Sequence, residues 1–143
     1  MNNANGLTLE KTLNSLLEIY RHKEINIIQT IKKVEDDIST LKNEMLIQEQ
    51  SLQKHYSVIK QCIVGIDQAA SIDVINKNKI NIDYIKNKIA VVNEEKKSIS
   101  AKVDDKLIEL DQVKKEKIKI CKKIYKYELI YEDQETASRK EQY

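Results

Sequence analysis

The chain has 143 residues, 34% of them charged, and its formal net charge of only +2 gives no strong overall attraction for nucleic acid. It contains no proline, tryptophan or phenylalanine and only two glycines, so tyrosine is its only large aromatic residue and the residues typical of turns are scarce. Nothing in this composition suggests a sheet, and it indicates long helices with solvated surfaces.

The first predicted helix covers residues from about 7 to 67. Its apolar residues recur at alternating steps of four and three, a spacing that keeps one helix face against a supercoiling partner. Only Glu24, Gln48 and His55 interrupt this first stripe. Its members are Leu13, Leu17, Tyr20, Glu24, Ile27, Ile31, Val34, Ile38, Leu41, Met45, Gln48, Leu52, His55, Ile59, Cys62 and Ile66.

A break in the heptad phase follows the first stripe and predicts a turn at about 68–73. The internal glycine, Gly65, lies just before it, and Ser71 or Asp73 is a suitable N-cap for the next helix.

The second predicted helix runs from about 74 to 136 and is followed by a frayed C-terminal tail. Its stripe comprises Ile75, Asn78, Ile82, Ile85, Ile89, Val92, Lys96, Ile99, Val103, Lys106, Leu110, Val113, Lys117, Ile120, Ile124, Tyr127 and Tyr131. The two stripes together predict an all-α protein, a single coiled-coil domain over residues 1–143 that forms a long antiparallel two-helix hairpin.

Equal arms joined by a short turn predict which residues face each other. Glu24 is expected opposite Lys117, an ion pair that would fix the register of the two helices. Lys96 is expected opposite Met45, and Lys106 near Val34. Neither lysine then has an acid in the seam, so their side chains should extend towards the flank of the helix pair.

Motifs for catalysis are missing from the sequence. It has no glycine-rich phosphate loop and no CxxC, HExxH or GxSxG pattern, so we expect no enzyme activity, no metal and no cofactor. A pair of His22 and Cys121 across the open end would lack a substrate cleft, which favours packing and surface roles for both. Cys62 and Cys121 are expected too far apart for a disulfide, which fits a reducing cytoplasm. The longest apolar run has four residues, so no membrane insertion is expected.

The open end of the hairpin carries most of the candidate contact residues. Residues 114–127 hold seven lysines interleaved with tyrosines, a pattern that fits a solvated face first, an acidic protein partner second and nucleic acid third. Apolar residues outside the seam also cluster at this end and at the turn, as expected of surfaces that contact protein. The predicted partner-binding residues are Leu9, Leu16, Tyr20, Lys122, Lys123, Tyr125, Lys126, Tyr127 and Tyr131.

The chain resembles the YscO/FliJ family, the central stalk proteins of type III secretion and flagellar export, and is most similar to EscO-type members. The resemblance rests on the predicted hairpin, on the opening segment LNSLLEIYRHKE at residues 13–24, and on the Lys-Glu-Lys run at residues 115–117 before a Glu/Gln-rich tail. It covers essentially the whole chain.

Membership in this family implies a stalk that inserts its paired ends into a hexameric secretion ATPase and promotes assembly and ATP turnover without hydrolysing ATP itself. It also implies contacts with the export gate and secretion chaperones, at the cytoplasmic face of a bacterial secretion apparatus. Such a stalk should be a monomer when free.

Two other interpretations remain open. A structural or tethering coiled coil would form stable oligomers or assemble along its length. A chaperone for exported helical proteins would bind unfolded or partly folded clients. An enzyme is the class that the sequence favours least.

Overall fold

In the computed structural model, which describes residues 2–141, the chain forms two helices, α1 (Asn2–Asp67) and α2 (Ile72–Glu141). The two long helices pack against each other, and the described part of the chain contains no strand. The predicted all-α helical hairpin is therefore confirmed. Each helix runs without interruption because no proline removes a backbone donor or clashes with the preceding turn.

The helix ends differ in detail from the predicted bounds. The connection between Asp67 and Ile72 is shorter than the expected turn of about 68–73. Ser71 Oγ accepts a hydrogen bond from the Val74 amide at 3.5 Å, which makes Ser71 the N-cap of α2. Asp73 instead lies in the first turn, where its negative charge interacts favourably with the positive end of the helix dipole. α2 is helical to Glu141 although a frayed tail is predicted after about 136; residues 142 and 143 lie outside the described residues.

The two predicted stripes form the interface between the helices. Every side chain in both stripes is buried or half-buried. This is the expected result of a 3.5-residue repeat, which keeps the same face of each helix against its neighbour. The most deeply buried apolar residues are Leu13, Leu17, Val34, Ile38, Leu52, Cys62, Ile89, Val92, Ile99, Val103 and Ile124.

The chain consists of two compact units. The hairpin unit comprises Asp36–Leu107 and contains the turn. The terminal unit comprises the chain up to Glu35 and from Ile108 onward.

Aliphatic side chains form the core of the hairpin unit. Leu52 packs with Ile89 and Val92, and the half-buried Ile59 and Ile85 pack against these three. Removing such a side chain from water contributes about 1.5–3 kcal/mol relative to leaving it exposed.

Two seam lysines of the hairpin unit pair with acids at the flank of the seam. Lys96 forms an ion pair with Glu49, and Lys106 Nζ lies 3.5 Å from Asp37 Oδ2. Neither acid is the residue predicted to face the lysine: Glu49 lies four residues after Met45, and Asp37 lies three residues after Val34. A displacement of three or four residues keeps the same helix face in the seam, so the heptad pattern alone cannot detect it.

Gly65 allows close approach of the helices beside the turn. A Cβ at this position would lie 2.9 Å from Asn78 Nδ2, which is held by a hydrogen bond to the Val74 carbonyl at 3.1 Å. No residue in the described part of the chain has a positive φ. The glycine is therefore needed here for space and not for an unusual backbone conformation.

Candidate functional site

Two tyrosines and two lysines meet at the surface of the terminal unit. Tyr20 of α1 and Tyr127 of α2 have ring centroids 5.6 Å apart. The ammonium groups of Lys23 and Lys123 lie 4.9 and 5.1 Å from the centre of the Tyr20 ring. We call these four residues the Tyr20 cluster. Seam spacing places the tyrosines, and the lysines follow because each lies within one helical turn of a tyrosine on the same helix.

A hydrogen bond inside the Tyr20 cluster alters the acidity of both partners. Lys123 Nζ donates to Tyr20 Oη at 3.1 Å. This bond lowers the pKa of the Tyr20 phenol, because the ammonium stabilises the phenolate form. It also raises the pKa of Lys123 above its ordinary value. Lys123 therefore keeps its positive charge throughout the neutral range.

An open groove of about 570 Å³ adjoins the Tyr20 cluster. Four lysines line this basic groove and a single acid, Glu116, offsets them. The lysines are Lys23, Lys119, Lys122 and Lys123. Such a local excess of positive charge attracts an acidic surface and accelerates its association, although the whole chain is nearly neutral.

The predicted ion pair of Glu24 with Lys117 is not among the contacts of the described residues. Glu24 Oε2 instead accepts a hydrogen bond from the Cys121 thiol at 3.3 Å. Cys121 lies one helical turn after Lys117. The observed partner of Glu24 therefore lies later in the chain than the predicted one, as do the observed partners of Lys96 and Lys106. The bond to Glu24 raises the pKa of the Cys121 thiol, and burial adds to this effect. His22 is exposed and is not the partner of the thiol.

Further polar contacts join α1 and α2 closer to the chain ends. Tyr131 Oη donates to Glu10 Oε1 at 3.0 Å, which raises the pKa of the Tyr131 phenol. Arg21 Nη2 lies 3.1 Å from Glu128 Oε1, with both side chains about half exposed. An ion pair this exposed contributes less than about 1 kcal/mol, so it orients the helices more than it stabilises them.

The predicted partner-binding residues occupy different surfaces. Tyr20, Lys123 and Tyr127 come together in the Tyr20 cluster. Tyr125 lines a second, mainly apolar groove, and Lys122 borders both grooves. The remaining four residues line neither groove: exposed Leu9 and Lys126, and half-buried Leu16 and Tyr131.

Several residues that complete these surfaces are not among the predicted ones. Lys23 and Lys119 line the basic groove, Arg21 pairs with Glu128, and Glu10 accepts a hydrogen bond from Tyr131. A signal was present for Lys23, because a position three residues after Tyr20 lies on the same helix face. The cross-helix pairs required the observed register.

No protein-family model, curated protein or solved structure matches the chain. No helix in the described residues is both long and apolar enough to cross a membrane. Within residues 2–141 no group of three or more His, Cys, Asp or Glu side chains is arranged to hold a metal ion.

Proposed function

We propose that this protein is the central stalk of a type III secretion system, similar to YscO/FliJ proteins, and that it acts in the bacterial cytoplasm. Its terminal unit inserts into the pore of a hexameric secretion ATPase and promotes assembly and turnover of the ring. The stalk links the ATPase to the export gate and to secretion chaperones.

The Tyr20 cluster with the basic groove beside it is the observation that carries this proposal. It places charged and aromatic side chains from both helices on one accessible surface of the terminal unit. A channel lined by acidic loops would attract this surface without requiring one rigid fit. Contacts of this kind suit a single stalk that must engage six similar subunits.

Charge reversal tests the proposal. The variant combines Lys122→Glu, Lys123→Glu and Lys126→Glu, and we expect at least tenfold weaker binding to the secretion ATPase and loss of its stimulation. Binding is measured by sedimentation with the assembled ATPase, turnover by phosphate release, and helicity by circular dichroism.

A matched control carries the same change in charge within the hairpin unit, through Lys77→Glu, Lys79→Glu and Lys86→Glu. All three lysines are exposed. The control should stimulate the ATPase like the unmodified chain. If the first variant also stimulates normally while remaining helical, the contact surface is wrong.

A tethering coiled coil is the alternative, and exposed apolar residues of the hairpin unit favour it. Ile72, Ile80 and Tyr84 are 72%, 68% and 58% exposed, as expected if another chain covers this unit. Sedimentation equilibrium separates the two functions. A monomer that joins a ring-sized complex with the ATPase supports the stalk, whereas a stable oligomer indifferent to the ATPase supports the tether.

A further inference from the structure

The second groove of the terminal unit differs in chemistry from the basic groove. It has a volume of about 660 Å³, and we call it the apolar groove. Ile31, Ile118, Cys121 and Tyr125 supply its apolar lining. Ile118 and Tyr125 remain 54% and 65% exposed, although a two-helix seam already buries the heptad positions beside them.

The apolar surface continues along α1 beyond the groove itself. Ile28 lies seven residues before Glu35, a residue that lines the groove, so both lie on the same side of α1. Ile25 lies one turn further along this side, and the two isoleucines are 53% (Ile25) and 45% (Ile28) exposed. Apolar residues beside a seam, in addition to those within it, are typical of helices that contact more than one neighbour.

Charged residues mark the two ends of this surface. At one end Arg21 pairs with Glu128 across the helices. At the other end Glu35 and Lys114 line the groove. The distance from Arg21 to Glu35 along α1 is about 14 residues, or about 21 Å at the helical rise. A helix of about four turns has the same length.

We propose that the apolar groove binds an acidic amphipathic helix of a partner protein, which lies along α1 and α2 as the third helix of a local bundle. Lys114, Lys117 and Lys122 line the groove against the single acid Glu35. Acidic residues flanking the apolar stripe of the incoming helix would meet these lysines. A second copy docked through its own groove would bring two lysine-rich rims together, and their like charges disfavour that arrangement.

This binding surface is separate from the Tyr20 cluster and does not depend on the stalk function. The basic groove and the apolar groove share only Lys122, so the two tests can use different residues.

The test uses Cys121 as a reporter within the full chain. Two designed amphipathic peptides of about 18 residues share one apolar stripe, and their flanking positions carry glutamate in one peptide and lysine in the other. The measurement is the rate at which N-ethylmaleimide alkylates Cys121. We expect the acidic peptide to slow this reaction at least fivefold and the basic peptide to leave it unchanged. Cys62, buried in the hairpin unit, is the internal control.

Substitution of apolar residues at this surface should abolish the protection of Cys121 by the acidic peptide. Ile118→Ser removes apolar lining of the groove and Ile28→Ser removes the apolar surface that continues from it along α1, and both positions are exposed enough for the fold to tolerate the change. The matched control, Ile19→Ser with Ile108→Ser, alters exposed apolar residues of the same unit outside the groove and should retain full protection. Lys114→Glu should reduce the preference for the acidic peptide.

Two outcomes would overturn the proposal. Equal protection by both peptides, or protection by neither, would show that the groove does not select an acidic helix. Protection of Cys121 that rises with protein concentration and excludes both peptides would assign the groove to a second copy of the chain.

Discussion

The hairpin unit and the terminal unit share one heptad geometry and both bury aliphatic side chains in it, but they differ in the polar groups that interrupt it. Leu52, Ile89 and Val92 form an aliphatic core in the hairpin unit. The terminal unit places Tyr20, Glu24 and other polar groups at equivalent seam positions and joins them across the helices by hydrogen bonds. The comparison separates two uses of a seam: aliphatic layers stabilise the helix pair, and polar layers give the surface its chemistry.

The largest expected effect is on the aliphatic layers. Leu52→Ala should lower the free energy of unfolding by about 2–4 kcal/mol, because it leaves a cavity beside Ile89 and Val92. Chemical denaturation followed by circular dichroism measures the change. Leu46→Ala, at a position of the same helix that is 58% exposed, should cost less than about 0.5 kcal/mol. Similar losses in both variants would mean that the aliphatic seam does not dominate stability.

Glycines offer a second contrast between the units. Gly65→Ala gains about 1 kcal/mol of helix propensity but must displace the Asn78 side chain, so the net change should be near zero or unfavourable. With Asn78→Ala also present, the same substitution should stabilise the chain by about 0.5–1 kcal/mol.

Gly6 of the terminal unit is the matched control for this cycle. A Cβ there meets no atom within 4 Å, so Gly6→Ala should stabilise by up to about 1 kcal/mol whether or not Asn78 is present. An identical response of Gly65 in both backgrounds would contradict the close approach at the turn.

A seam lysine tests whether polarity in the hairpin unit serves stability. Lys96→Leu should raise the free energy of unfolding by about 1 kcal/mol, because the new side chain fills an apolar layer. Glu49 would lose its partner at little cost, since its side chain is 46% exposed. Denaturation measures the gain, and sedimentation shows whether the substitution changes the oligomeric state. A loss of stability would assign the Lys96–Glu49 pair a larger role than its exposure suggests.

The sequence predicted the buried face of the hairpin and the position of its turn, because burial in a helix pair follows directly from the heptad repeat. Every member of the two stripes, the first from Leu13 to Ile66 and the second from Ile75 to Tyr131, is at least half-buried. The axial register was not predictable in the same way. Long polar side chains reach neighbouring turns of the partner helix, so the heptad pattern does not give the partners that Glu24, Lys96 and Lys106 contact.

Candidate contact residues were predicted less completely than the fold. Tyrosines and lysines near residues 114–127 indicated a charged surface, but their division between two grooves depends on side-chain direction. Lys122 and Lys123 are neighbours in sequence, yet only Lys123 bonds to Tyr20. Adjacent positions on a helix point about 100° apart, so a run of lysines is distributed around the helix and not along one surface.

The smallest expected effect concerns the polar layer itself. Glu24→Gln removes the carboxylate whose hydrogen bond raises the pKa of Cys121, so that pKa should fall towards its ordinary value. More thiolate is then present at pH 8, and alkylation of Cys121 by iodoacetamide should become about threefold to tenfold faster.

In the unmodified chain the favoured thiol form contributes stability below the ordinary thiol pKa, and this contribution disappears as the pH rises through the raised value. Cys62 is buried in the hairpin unit, away from Glu24, so it should react equally slowly in both proteins. An unchanged rate at Cys121 would mean that burial, and not Glu24, controls the thiol, and the polar layer would then resemble the aliphatic ones.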